Sequence, residues 1–290
     1  MSKPEEKVSR RQFIGGTVGG LVVGGLAGYG AGMLTAPPQV VPGAATTVTQ
    51  TVTGPAPGKK IKAGFIYVGP VGDFGWSYGH DRGRKYLAKL PWLETFYAEA
   101  IPEPEVGAAI DRMVAEGADV VFTTSFGYID PTVAAGPKYP DKYFWHCSGY
   151  KRAQNVGTYF AEMYQQYYLC GLAAAGVTKT NKIGYVAAHP IPEVVRHINA
   201  FVLGAREINP KIEAYVVWLF SWFDPAKTRD AAVSLIESQN CDVLAYTEDS
   251  PTTLQVAEEY QGKGKPVWSF SHYSDMTTYG PKAHLTGQIV

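Results

Sequence analysis

The sequence predicts an α/β protein of two doubly wound lobes, and three observations carry the prediction. From Lys60 onward, short apolar runs rich in β-branched and aromatic residues alternate with segments of helical periodicity, the pattern of parallel sheets covered on both faces. The runs fall into two successive sets, over a length in which each set can bury a core of its own. Most runs end in a mixture of glycine, hydroxyl, aromatic and acidic residues, at the strand ends where open α/β sheets bind their ligands.

Ahead of these elements, Ser9-Arg10-Arg11-Gln12-Phe13-Ile14 is followed by no charged side chain until Lys59. The positive start and the apolar run at 13–34 fit an export signal or membrane anchor over 1–35, and the arginine pair before x-Phe resembles the twin-arginine type. The run has about the length that crosses a bilayer, but its nine glycines weaken a helix, so a cleaved signal and a retained anchor both fit. No cysteine follows the run, which excludes a lipoprotein anchor there. Residues 36–59, dominated by Pro, Thr, Val, Gly and Ala, read as a flexible tether. The implied place of work is extracytoplasmic, periplasmic or at the cell surface, with the N-terminal segment reaching the membrane.

In the first lobe, 60–150, strands are expected at 61–68, 95–98, 120–124 and 143–147. A helix at 105–116 sets Val106, Ala109, Ile110, Met113 and Val114 on one stripe. The polar stretch between Ser148 and Gly157 reads as the seam between the lobes, and a long helix at 162–177 follows as the hinge helix. That helix opens the second part, 151–290, whose strands are expected at 183–187, 214–219, 243–246, 267–270 and 285–290. A helix at 225–238 has Pro225 in its first turn and Asp224 as its cap. The last strand runs to Val290 with no polar tail, which reads as a second lobe cut short.

Lys and Arg number 26 against 26 Asp and Glu, so no net charge draws the chain to nucleic acid, and none is expected as a partner. Cys147, Cys170 and Cys241 are widely spaced, which argues for buried thiols rather than a disulfide framework or a zinc knuckle. H-E-x-x-H does not occur and the six histidines are scattered, so no enzyme, metal site or cofactor is indicated. The loop after the first strand, Gly69-Pro70-Val71-Gly72-Asp73-Phe74-Gly75-Trp76, is spaced G-x-x-G-x-x-G rather than G-x-G-x-x-G, and Asp73 would repel a pyrophosphate. Two readings of the loop stand side by side. It is a tight turn whose aromatics fill the core, or Asp73 accepts hydrogen bonds from a polar ligand edge while Phe74 or Trp76 stacks on the ligand face. The same chemistry recurs in Ser125-Phe126, in Trp222-Phe223-Asp224, at Asp249 and in Tyr273-Ser274-Asp275. Singly, each reads as a helix cap. Their recurrence at ends that would line one cleft points to a flat ligand with polar edges.

Val71-Gly72-Asp73-Phe74-Gly75-Trp76-Ser77, Val156-Gly157-Thr158-Tyr159-Phe160-Ala161, Ser221-Trp222-Phe223-Asp224-Pro225-Ala226-Lys227 and Tyr273-Ser274-Asp275-Met276 together resemble the basic membrane protein family of transporter substrate-binding proteins, which includes purine nucleoside receptors. The resemblance spans residues 60–290. It implies two Rossmann-like lobes with a hinge and an interlobe cleft, the type I periplasmic-binding-protein architecture. It also implies delivery of the ligand to an ABC permease driven by its ATPase. The family clamps a purine ring between aromatic side chains, here Trp76 or Phe126 from the first lobe and Trp222 from the second, while Asp73 reads the base edge. The seam motif adds Tyr159. Where the family's nucleoside binders hold the ribose with an acid, this chain has Tyr273, which favours a free nucleobase such as adenine; Asp249 is placed to compensate. A sensor ectodomain and a secreted nucleoside-processing enzyme are the alternatives the same core would serve.

Overall fold

The computed structural model describes residues 58 and 60–289. The expected export segment at 1–35, and the tether at 36–59 apart from Gly58, lie outside the described residues. Among the described residues, no helix is long and apolar enough to cross a membrane.

The first sheet contains β1 (Ile61–Ile66), β2 (Leu93–Ala98), β3 (Val120–Thr123), β4 (Tyr143–Cys147) and β5 (Val156–Tyr159), in the order β2-β1-β3-β4-β5 with every pairing parallel. Helices α1 (Trp76–Leu87), α2 (Val106–Ala115) and α3 (Ile129–Lys138) make the crossovers. The stripe expected on α2 packs as read: Val106, Ala109, Ile110 and Met113 are buried against Ile66, Val121 and Phe144, and Val114 is partly buried beside them.

The second lobe follows α4 (Tyr164–Val177) with β6 (Lys182–Ala187), α5 (Pro192–Ile208), β7 (Glu213–Trp218), α6 (Pro225–Glu237), β8 (Val243–Thr247), α7 (Thr252–Gly262), β9 (Ser269–Tyr273) and β10 (His284–Ile289). Its strands pair in parallel as β7-β6-β8 and β9-β10. A parallel bridge between Val243 and Trp268 joins the two groups, so the lateral order repeats that of the first sheet. Strand β8 is buried along its whole length, as befits a central strand covered on both faces. Tyr167, Ile183 and Phe201 fill one side of this sheet, and Leu235, Tyr246 and Leu254 the other. Helices α4 and α5 cross closely because both carry glycine at the contact. A Cβ at Gly171 would lie 2.1 Å from the Phe201 carbonyl oxygen, and one at Gly204 2.1 Å from that of Tyr168. As expected, Asp224 caps α6, its side chain accepting from the Lys227 amide at 3.0 Å.

One stretch departs from the sequence reading. Residues around the expected seam form β5, which pairs with β4 and extends the first sheet to Tyr159, past position 150. Lys151, Arg152 and Asn155 give the stretch its polar look, but Asn155 works as an anchor, its amide donating to the carbonyls of Gly136, Tyr139 and Lys142. The apolar signal of a four-residue strand is too short to outweigh such flanks.

Candidate functional site

In a doubly wound sheet the chain reverses its winding direction between the first strand and its two neighbours, and the loops leaving those strands splay apart to leave a crevice. Here the switch points lie between β1 and β3 in one lobe and between β6 and β8 in the other. The loops after these strands meet. Val68 and Trp76 come from the β1 end, Ser125 and Phe126 from β3, Ser148 from β4, Glu193 from the β6 end, Trp222 from β7, Asp249 from β8 and Tyr273 from β9, and together they line a narrow cleft. Its free volume, about 10 Å³ for the centre of a water molecule, holds about one water, so the lobes stand closed on each other.

The closure is made by named contacts. The Ser148 hydroxyl donates to Glu193 and the Ser274 hydroxyl to the Phe74 carbonyl, each from one lobe to the other. Phe74 also meets Tyr279, with ring centroids 5.3 Å apart. Gly75 lies so near the backbone of Asp249 that a Cβ would come within 2.1 Å of its carbonyl oxygen.

The electrostatics of the cleft are set by two carboxyls without a lysine, arginine or histidine in the lining. Asp249 is 1% exposed and neither of its carboxylate oxygens has a hydrogen-bond partner. Burial, then the carboxyls of Asp73, Glu248 and Glu193, holds it well above the usual carboxylate range. Burial likewise pushes Glu193 up to about 7, against the opposing pull of the Ser148 hydroxyl and of Arg196. Glu248, buried behind Asp249, is pushed up to about 8 by the same cause, although the Ser250 amide donates to it at 2.8 Å. Asp249 is therefore an acceptor, or when protonated a donor, that the protein itself leaves open.

Of the residues expected from the sequence, Trp76, Ser125, Phe126, Trp222, Asp249 and Tyr273 are brought together in this cleft. Trp76 is pinned: its indole N–H donates to the Thr124 carbonyl and its ring stands edge-on to Tyr273 at 4.9 Å. Phe126 and Trp222 are only partly buried and keep faces toward the gap. Five expected residues lie outside the lining. Asp73 is fully buried, and its carboxylate accepts from the amides of Gly75, Ser77 and Tyr78, each at 2.9 Å, so it caps the start of α1 instead of reading a ligand edge. Phe74 is 41% exposed and packs on Tyr78 and Tyr279. Asp224 is the cap of α6, and Asp275 binds the backbone and hydroxyl of Thr277. Tyr159 lines an adjoining, open groove of about 970 Å³ along α1, which shares Trp76 and Tyr273 with the cleft, is walled by Phe65, Phe122 and Phe160 and is rimmed by Arg82, Lys85 and Lys89. That groove belongs mostly to one lobe and holds no unpartnered acid, so the cleft is the better candidate for a ligand with polar edges.

Besides Val68, Glu193 and Ser148 are the lining members the sequence reading missed. Pro192-Glu193 is an ordinary helix start, an acid in a first turn, and nothing local separates that role from a place in a cleft. The available signal was positional: Glu193 follows β6, the first strand of its sheet, where the switch-point rule looks.

Comparisons with known proteins bear on the family and the fold. The family described as ABC transporter substrate-binding protein, PnrA-like, matches residues 60–290. A purine-binding protein of Brucella abortus is 42% identical over 234 residues, 80% of this chain and 65% of that protein. A Haloferax volcanii protein provisionally named as an ABC transporter glucose-binding protein is 40% identical over 237 residues, 81% of this chain and 59% of that protein. The chain thus spans about six tenths of the length of these curated relatives. Among solved structures, an ABC transporter solute-binding protein of Aeropyrum pernix superimposes with a TM-score of 0.71 over 78% of this chain and 66% of that one, at 18% identity, a likeness of fold.

Proposed function

The chain belongs to the PnrA-like family of ABC transporter substrate-binding proteins, and we propose that it is the extracytoplasmic receptor of an ABC-type uptake system that closes its lobes on a planar purine-type ligand, a nucleobase such as adenine in preference to a nucleoside. One observation carries the reading: Phe126 from one lobe and Trp222 from the other wall a cleft that also holds the unpartnered carboxyl of Asp249. A flat ring between two aromatic faces gains about 0.5–1.5 kcal/mol per face beyond area burial, and a buried polar group left open selects the ligand whose edge completes it. Tyr273 stands where an acid would hold a ribose, and its ring is buried against Trp76, which favours the bare base. The name of the Brucella relative supports the purine class. A permease and its ATPase are the expected partners, and the N-terminal segment is the route to the membrane.

The name of the Haloferax relative favours a second reading, a monosaccharide, since aromatic walls and a carboxylate also suit a sugar's C–H faces and hydroxyls. Calorimetric titration with adenine, guanine, adenosine, riboflavin and glucose separates them. Adenine is expected to bind, and Trp222→Ala to weaken it at least tenfold while the thermal midpoint moves little. Binding of glucose with none of the purines sinks the purine reading. Conversion of adenosine to products would make the chain an enzyme.

A further inference from the structure

We propose that Glu193, acting with Asp249, is a specificity-determining residue of the cleft: the two carboxyls admit uncharged or cationic ligands that offer N–H or O–H donors and turn away ligands that carry a phosphate or carboxylate. The inference deepens the receptor reading above and rests on the same cleft.

Four observations lead to it. The lining contains two carboxyls and no cationic side chain. Arg196, the cation that acts on Glu193, stands one turn further along α5, exposed and outside the lining. Asp249 is enclosed with both oxygens unpartnered, which leaves acceptor capacity aimed at whatever occupies the gap. Glu193 is 7% exposed, and its one hydrogen bond comes from Ser148 of the opposite lobe, so its carboxyl enters the dry site only as the lobes close.

Two carboxyls enclosed in one dry site resist ionising together, and closure favours the protonated form of at least one of them. An anionic ligand group there would face a third negative charge with nothing to neutralise it, and an unpaired buried charge is costly. A donor edge meets the opposite fate, since it supplies the bonds Asp249 lacks. The remaining titratable groups around the pair add no cation. Asp73 and Glu248 act on Asp249, and Cys147, Tyr185 and Tyr273 are buried beside Glu193. Closure therefore takes up a proton over the range where the exposed carboxyl is ionised and the enclosed one is not, and ligand affinity falls as pH rises through about 7.

The test is calorimetric titration of the full chain and of Glu193→Gln with adenine, adenosine and AMP at pH 6 and pH 8, where adenine stays neutral. The wild type is expected to bind adenine, several-fold more weakly at pH 8, and to show at least a hundredfold preference for adenosine over AMP. Glu193→Gln, whose neutral amide takes the place of the protonated carboxyl, is expected to keep adenine affinity at pH 6 within a few-fold, to lose most of the pH dependence and to narrow the AMP discrimination. Ser148→Ala keeps the carboxyl but removes its donor, so the pH transition should move upward; this variant tests the idea even if Glu193→Gln folds poorly. An unchanged pH profile and unchanged AMP rejection in Glu193→Gln would overturn the inference while leaving the receptor reading intact. If glucose binds instead of purines, the receptor's purine assignment fails, and the same variants titrated with glucose against glucose 6-phosphate decide whether the carboxyl filter stands.

Discussion

Glu248 and His197 show how single buried groups set this protein's response to pH. Glu248 is fully buried, and burial raises it to about 8 from an ordinary value of 4.5. The unfolded chain would ionise it from about 4.5 upward, so its contribution to stability is complete below that value and is lost as pH rises toward 8. His197 is buried and stacked on Tyr167 at 4.7 Å, and burial lowers it to about 3. Its contribution is complete above about 6.5 and is lost as pH falls toward 3. From pH 6.5 to 8 the histidine no longer changes, and only the raised acids act. The thermal midpoint should therefore fall across that window, and Glu248→Gln should flatten the slope; a wild-type midpoint that rises over the same range would refute the assignment. Asp73 teaches a related lesson. Its carboxylate has three backbone partners within 2.9 Å, and an acid so engaged has little left to offer a ligand.

At the scale of the element, the crossing of α4 and α5 is the contact most sensitive to size. Gly171 and Gly204 let backbone pack on backbone, and a methyl group at either position would strike a carbonyl at 2.1 Å. Gly204→Ala should cost about 1–3 kcal/mol by overpacking, which for a domain of this length corresponds to a thermal midpoint lower by several degrees. Gly176→Ala in the same α4 is the control, because a Cβ there meets nothing within 4 Å, and it should be neutral or slightly stabilising. Equal midpoints for the two variants, measured by circular dichroism, would show that the crossing relaxes freely. The elements that were plain in the sequence, α2 and α6 among them, are those whose burial stripe or cap is local. Strand β5 was hidden because its four residues become a strand only by pairing with β4.

At the scale of the whole molecule, the two lobes meet closely, and Gly75 lies so near the backbone of Asp249 that a Cβ there has no room. Gly75→Ala should hold the lobes apart. Small-angle scattering should give a larger radius of gyration in the presence of ligand than for the wild type, with affinity at least tenfold weaker and each lobe still folded. A compact, tight-binding variant would show that closure does not pass through this contact. The two-lobed α/β architecture was determined by the sequence itself, because alternating β-branched runs and helical stripes are local consequences of what each residue buries. So were the aromatic residues of the cleft, since Trp76, Phe126 and Trp222 sit at strand ends, where such sheets open. Only the tertiary structure decided where the acids stand. It turned Asp73 inward as a cap, left Asp249 without a partner and brought Glu193 from a helix start 56 positions earlier in the chain to stand in the same cleft. A carboxyl's role depends on what surrounds it in space, and for these three residues the surroundings come from strands and loops far away in the sequence.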